Sequence, residues 1–117
     1  MTLSPADLID RISILRVKMR HLHVDLSAEV EQCVNELNGL DYSGYLSQLE
    51  ELNEIGWEGN QVVIDAVNGQ EPGSPAELRH VWRHIKIAHL ANMKRNRLKN
   101  EINEAFNYQS KELKSWQ

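Results

Sequence analysis

The sequence contains a single cysteine, Cys33, and no long apolar run. One cysteine excludes an internal disulfide and any zinc site built from several cysteines, so packing alone must stabilise the fold. No segment approaches the roughly 18 consecutive apolar residues that a membrane span needs, and the first ten residues lack the pattern of a signal peptide. We therefore expect a cytoplasmic protein in which Cys33 is a core residue.

Strand-like alternation is also missing, and apolar residues instead recur at helical spacing. Leu8, Ile12, Leu15, Met19 and Leu22 follow one another at steps of three and four, which predicts one apolar helix face. With 117 residues, of which 41% are hydrophobic, the chain has the size of one compact domain. We predict a single all-α domain over residues 1–117.

Local signals mark where these helices begin and end. Ser4 and Ser74 are each followed by proline, a pairing typical of a helix N-terminus. Ser27 is the predicted N-cap of a second helix, and Gly39 its C-terminal stop. The resulting architecture is an antiparallel helical bundle of about four helices, two of them long. The predicted helices cover residues 5–23, 28–38, 44–68 and 75–107, and the tail, 108–117, is expected to be less regular.

Gly56 and Gly59 interrupt the third predicted helix. A glycine in a helix interior costs about 1 kcal/mol relative to alanine. Two such residues indicate either a bend near Trp57 or close packing against the backbone. We favour one long, imperfect helix.

The charges are strongly segregated along the chain, although the net charge is only −4. No lysine or arginine lies between Arg20 and Arg79, and no acidic residue lies between Glu77 and Glu101. The middle of the chain is therefore acidic, whereas the first and last helices are basic. Either the acidic and basic helices exchange surface ion pairs, or the basic helices lie side by side and form a cleft for an anion. Nucleic acid is the least favoured partner, because the chain is acidic overall and lacks a DNA-binding motif.

Motifs that would indicate catalysis or a metal site are missing. His80 and His84 have the spacing of two metal ligands on one helix face, but no glutamate follows His80 as in zinc proteases. Neither a glycine-rich phosphate loop nor a Ser/His/Asp or Cys/His relay is present. We expect no metal and no cofactor, and an enzymatic function is the last of the alternatives.

Three parts of the chain carry a family resemblance: SPADLIDRISILRVK at 4–18, LNEIGW at 52–57, and NMKR with KNEIN between 92 and 103. They resemble an uncharacterised family of small all-helical bacterial proteins that are sometimes found near surface-polysaccharide glycosyltransferases. Similar proteins carry acidic residues just after the tryptophan, whereas Gly59, Asn60 and Gln61 follow Glu58 here. The resemblance transfers no activity, but it implies a set of polar positions that converge from three helices.

The predicted site combines these positions with the basic helices. The expected ligand-binding residues are Arg11, Lys18, Trp57, Arg95 and Lys99. A polar cluster of Asp10, Asn53, Asn92 and Asn103 is expected beside them. In an alternative, purely structural interpretation, Asp10 and Arg95 form an interhelical ion pair and Asn53 and Asn103 an amide bridge.

Three functions remain open. The first is a non-catalytic binding protein that holds an anionic small molecule, such as a nucleotide or a sugar phosphate, between the first and last helices. The second is an adaptor or inhibitor that binds a partner protein through a helical surface, and the third is an atypical enzyme. A homo-oligomer, with a dimer favoured, is expected because helices of unequal length leave apolar surface uncovered.

Overall fold

Four α-helices and short connections make up the part of the chain that the computed structural model describes, residues 3–69 and 74–108. The helices are α1 (Pro5–Leu22), α2 (Ser27–Leu37), α3 (Ser43–Asn68) and α4 (Pro75–Ala105). No strand occurs in these two ranges, so the predicted all-α bundle is confirmed, and each helix boundary lies within two residues of its predicted place. Of the predicted irregular tail, only Tyr108 is among the described residues. No helix in the described ranges is both long enough and apolar enough to cross a bilayer.

The predicted serine caps begin α1 and α4, but not α2. The hydroxyl of Ser4 accepts a hydrogen bond from the Asp7 amide at 3.1 Å, and Ser74 does the same for Glu77 at 3.3 Å. Ser27, by contrast, is the first helical residue, and its amide donates to the carboxylate of Asp25 at 3.0 Å. The prediction of Ser27 as the cap is wrong because Asp25 supplies the acceptor two residues earlier.

Helix α1 lies at the centre of the bundle and contacts each of the other three helices. Its residues are therefore buried on several sides, and not only along the single predicted face. The buried residues are Ala6, Leu8, Ile9, Asp10, Ile12, Ser13, Leu15 and Val17. Leu22, at the end of the predicted stripe, is instead exposed, because α1 ends there. Cys33 of α2 is buried against α1, as expected, and burial raises the pKa of its thiol.

Close approach of α3 to α4 explains one of the two interior glycines. A Cβ atom on Gly59 would lie 2.6 Å from Cβ of Ala88 and 3.2 Å from the carbonyl oxygen of His84. A Cβ atom on Gly56 would have no neighbour within 4 Å. The long helix is thus continuous, as favoured, and Gly59 is the position where the two backbones meet.

Helices α3 and α4 extend together beyond the end of α1. We call this extension the arm and define it as residues 58–68 and 75–90. Its only buried residue is Gly59, and the first buried residue of α4 is Ala91. The radius of gyration is 17.0 Å, whereas a compact domain of this length has about 13 Å. The described part of the chain therefore forms a core around α1 and a two-helix arm.

Candidate functional site

A buried carboxylate of α1 lies at the centre of the site. Asp10 is only 4% exposed and faces Arg95 of α4. Nε of Arg95 donates to Oδ1 at 2.9 Å and Nη2 donates to Oδ2 at 2.5 Å, so the guanidinium binds the carboxylate through both oxygens. The hydrogen bond from Arg95 to Asp10 raises the pKa of the arginine. The predicted interhelical ion pair is therefore present.

Asn53 of α3 completes the hydrogen bonding of this carboxylate. Its Nδ2 donates to Oδ1 of Asp10 at 2.9 Å and to Oγ of Ser13 at 2.6 Å, while Ser13 donates to the Asp10 carbonyl. The expected bridge from Asn53 to Asn103 is wrong. Asn103 instead accepts from the Ala6 amide at 3.0 Å, because first-turn amides have no partner within their own helix.

Lys99 lies one turn beyond Arg95 and strengthens the same contact between α1 and α4. Its ammonium is 2.8 Å from Oδ1 of Asp7 and 3.8 Å from Oδ2 of Asp10. Burial alone would raise the pKa of Asp7, but hydrogen bonds with Lys99 and Ser4 outweigh burial and lower the pKa. The first and last helices thus lie side by side, and two predicted cations neutralise acids of α1.

A cavity of about 240 Å³ opens beside this cluster, where α1, α3 and α4 meet. Lys18, Asn53, Trp57, Asn92 and Arg95, all predicted site residues, line it. The remaining lining residues are Ile14, Val17, Leu52, Gly56, Asn60 and Ala88. The cavity therefore has apolar walls, three amide side chains and two cations. Because a Cβ on Gly56 would meet no atom, the missing side chain leaves this space open.

The two cations of the cavity differ in their electrostatic state. Arg95 is neutralised by Asp10, and its third nitrogen donates to Asn92 at 3.2 Å. Lys18 is exposed and has no ion-pair partner among the described residues. Lys18 therefore supplies an uncompensated positive charge at the cavity.

Trp57, which lines the cavity, is held in place by a histidine of α1. Its ring stacks on His21, with centroids 4.8 Å apart and planes 12° from parallel. His21 in turn is hydrogen-bonded to Glu54, whose other oxygen accepts from Arg20 at 2.8 Å. Trp57 is thereby fixed as an aromatic wall of the cavity.

Ion pairs between the acidic third helix and the basic first helix are also present. Arg16 lies 2.9 Å from Glu50, and Arg20 lies 3.1 Å from the same carboxylate. Of the two alternatives for the segregated charges, the surface ion pairs are thus present, and the anion cleft stays a prediction. Basic residues of α1 pair with α3 on the surface, while Lys18 remains at the cavity.

Arg11 does not join the other predicted residues. It lines a separate depression between α1 and α2, with Glu29, Glu36 and Cys33. The prediction that Arg11, Lys18, Arg95 and Lys99 converge on one pocket is therefore wrong for Arg11, and Lys99 faces Asp7 rather than lining the cavity. Within residues 3–69 and 74–108, no three His, Cys, Asp or Glu side chains are grouped as metal ligands. His80 and His84 contact each other edge to face at 4.6 Å.

Sequence reasoning missed Ser13 and Asn60. Ser13 is fully buried and sits three residues after Asp10, on the same side of α1. Two polar residues at this spacing within an apolar helix indicate a buried polar contact, so Ser13 could have been predicted. Asn60 follows Trp57 by three residues on α3 and had no such signal, because the cavity that it lines depends on where α1 ends.

Comparisons with models of known protein families, with curated proteins and with solved structures find no match for this chain. The resemblance to small helical bacterial proteins stays a prediction. Function is therefore inferred from the site itself.

Proposed function

We propose that this protein binds an anionic small molecule, a nucleotide or a sugar phosphate, in the cavity between α1, α3 and α4. The observation that carries the proposal is the uncompensated charge of Lys18 on a cavity that has apolar walls and amide donors. Concave, mostly apolar sites with a few polar groups are typical of small-molecule binding.

The charges and the volume narrow the ligand class. Asp10 already neutralises Arg95, so Lys18 is left to attract one anionic group. A cavity of about 240 Å³ lies below the roughly 300 Å³ at which drug-sized pockets begin. A monophosphate of a single sugar or nucleoside therefore fits better than a dinucleotide. Trp57 offers an aromatic surface, and Asn53, Asn60 and Asn92 offer hydrogen bonds to hydroxyl or base groups.

Binding without chemistry accounts best for the lining residues. None of the described residues that line the cavity is a carboxylate, histidine, cysteine or serine. Asp10, whose carboxylate bonds to the lining residues Arg95 and Asn53, is engaged by both. The site thus supplies recognition groups but lacks a free general base.

A thermal-shift screen with nucleoside monophosphates and sugar monophosphates tests the proposal. A ligand at 100 times its dissociation constant stabilises the folded state by about 2.7 kcal/mol, which raises Tm by several degrees. The key variants are Lys18→Ala, which removes the charge, and Gly56→Leu, which fills the cavity. Lys94→Ala is the matched control, since Lys94 is an exposed lysine of α4 outside the cavity lining.

We expect the thermal stabilisation by ligand to disappear in Gly56→Leu and to persist in Lys94→Ala. In Lys18→Ala, the dissociation constant of the ligand should rise at least tenfold. No shift with any probe contradicts the proposal. A shift that survives in both cavity variants places the ligand elsewhere and contradicts it equally.

A further inference from the structure

The arm presents a continuous helix face that α1 covers only in the core. On α3, Asn53, Trp57, Asn60, Ile64 and Val67 follow one another at steps of four, three, four and three, so they share one face. Asn53 contacts Asp10 of α1 at one end of this face. Beyond the end of α1, the same face continues into the arm without a partner among the described residues.

Helix α4 repeats the pattern. Lys99, Asn92, Ile85 and Leu78 are seven residues apart and share a face, and Lys99 contacts Asp7 of α1. Trp82 is four residues after Leu78 and three before Ile85, so it lies on the same face. In the arm, the two faces carry five exposed apolar side chains, Ile64, Val67, Leu78, Trp82 and Ile85, and two exposed polar ones, Asn60 and His89. We call these seven residues the arm face. The exposed fractions are 40% for Ile64, 75% for Val67, 55% for Leu78, 65% for Trp82 and 41% for Ile85.

Charged side chains of the arm lie off this face. The six side chains of Asp, Glu, Lys and Arg in the arm occupy other positions of the two helical repeats: Glu58, Asp65, Glu77, Arg79, Arg83 and Lys86. Interface cores are depleted of charge and enriched in tryptophan, which is the composition of this face.

We propose that the arm face binds the arm of a second copy of this chain in a two-fold, antiparallel dimer. With the two-fold axis perpendicular to the long axis of the arms, the two cores lie at opposite ends and do not collide. The four arm helices then form a short bundle. In it, the arm of one copy covers the face of the other arm, as α1 covers the same face of α3 and α4 in the core. A two-fold interface uses the same patch on both copies, as this face requires.

The available area supports this occupant. Five apolar side chains with these exposures present roughly 500 Å² of surface, which is the size of the largest apolar patch on a typical monomer, and such a patch is often functional. A standard interface buries roughly 800 Å² on each partner. The five apolar side chains alone supply more than half of that area. The proposal does not depend on the ligand proposed above.

Analytical ultracentrifugation of the full chain over a wide concentration range tests the dimer. We expect the mass to rise to about twice the chain mass of 13.5 kDa. A mass that stays at 13.5 kDa up to millimolar concentration overturns the proposal, and so does a trimer or a larger assembly.

Two isoleucines of α4 provide a matched pair of variants. Ile85 is 41% exposed on the arm face, whereas Ile87 is 45% exposed on the opposite side of the helix. We expect Ile85→Glu to weaken dimerisation roughly 30-fold or more, as loss of a central apolar contact does. Ile87→Glu should leave the dissociation constant unchanged. Equal effects of the two variants, or none from Ile85→Glu, overturn the proposal.

A variant on the other helix checks the face independently. Val67→Glu places a charge on α3, and it should disrupt the dimer as Ile85→Glu does. Because both side chains are exposed in the monomer, circular dichroism should show unchanged helix content. A dimer that tolerates Val67→Glu would contradict the two-helix interface.

Discussion

Gly56 and Gly59 are three residues apart in α3, but their surroundings give the two glycines different roles. At Gly56 a methyl group meets no atom within 4 Å, so Gly56→Ala should raise the free energy of unfolding by up to about 1 kcal/mol through helix propensity. At Gly59 a methyl group would overlap Ala88 and approach the His84 carbonyl. Gly59→Ala should therefore cost about 1–3 kcal/mol, as overpacking does. Urea unfolding of both variants checks this, and effects of equal sign would contradict the helix contact.

The Asp10 and Arg95 pair makes a second prediction at the residue scale. Removing Arg95 leaves a carboxylate that is 4% exposed with only Lys99, 3.8 Å away, as a charge partner. Arg95→Met should therefore cost about 3 kcal/mol, the lower end of the range for a broken buried pair. In the double variant with Asp10→Asn, the neutral amide needs no counterion and still accepts from Asn53, so part of this loss should be recovered.

A double-mutant cycle measures this coupling from urea unfolding curves. Neighbouring residues that share a polar contact typically show interaction energies of about 0.5–3 kcal/mol. Strictly additive losses in the two single variants would contradict a coupled pair. Lys99→Ala serves as the comparison, because Lys99 bonds the half-exposed Asp7 and its loss should cost about 1 kcal/mol or less.

At the scale of the helices, the caps give a matched pair of serines. Ser4 accepts from the Asp7 amide and is the N-cap of α1. Ser4→Ala should therefore cost about 1 kcal/mol. Ser27 is the first residue of α2, and Asp25 accepts from its amide, so Ser27→Ala should cost roughly half as much or less. A larger loss from Ser27→Ala would mean that its hydroxyl is the cap after all.

Helix boundaries were predictable from the sequence because the signals that set them are local. A serine followed by proline, or a glycine after the last apolar residue, acts within one turn of the chain. The central place of α1 was not predictable in this way. It depends on which helices surround α1, and its buried Asp10 and Ser13 interrupt the apolar pattern that sequence reasoning follows.

The candidate site was predicted only in part, because its residues depend on which helices are neighbours. Lys18, Trp57 and Arg95 do line one cavity, as their positions on the basic helices and beside Gly56 indicated. Arg11 shares a helix face with Lys18, but it lies two turns away, about 10 Å along the axis. At that position along the axis of α1, the neighbours of Arg11 belong to α2. Helix periodicity gives the direction of a side chain and leaves open which helix packs beside it.

At the scale of the whole molecule, ion pairs between helices should make stability depend on pH. The pKa of Glu54 is lowered chiefly by its hydrogen bond with Arg20, with His21 adding to this and burial opposing it. A folded-state pKa below the ordinary value of 4.5 means that Glu54 stabilises the fold above that pH. This stabilisation is lost as pH falls from about 4.5 through the folded-state pKa.

Glu54→Gln should therefore flatten the decline in the free energy of unfolding below pH 4.5, because the amide does not titrate. Urea unfolding at a series of pH values measures the slope. Glu51→Gln is the control, since Glu51 is exposed and forms no ion pair among the described residues. A slope that is unchanged in Glu54→Gln would contradict a stabilising role for this pair.

The division into core and arm predicts two levels of local stability in one chain. Ile9, Ile12 and Ile102 are almost fully buried in the core, whereas the arm buries only Gly59. Segments with few buried apolar contacts open at a lower free energy than the whole fold does. In dilute solution, backbone amides of residues 60–67 and 79–87 should therefore exchange with solvent faster than those of residues 9–15 and 98–102. In the proposed dimer a second copy covers the exposed face of the arm. Raising the protein concentration should therefore slow exchange in the arm alone. Hydrogen exchange at two concentrations measures both effects.

Uniform protection in the monomer would contradict a separately opening arm. Arm protection that is independent of concentration would contradict the dimer.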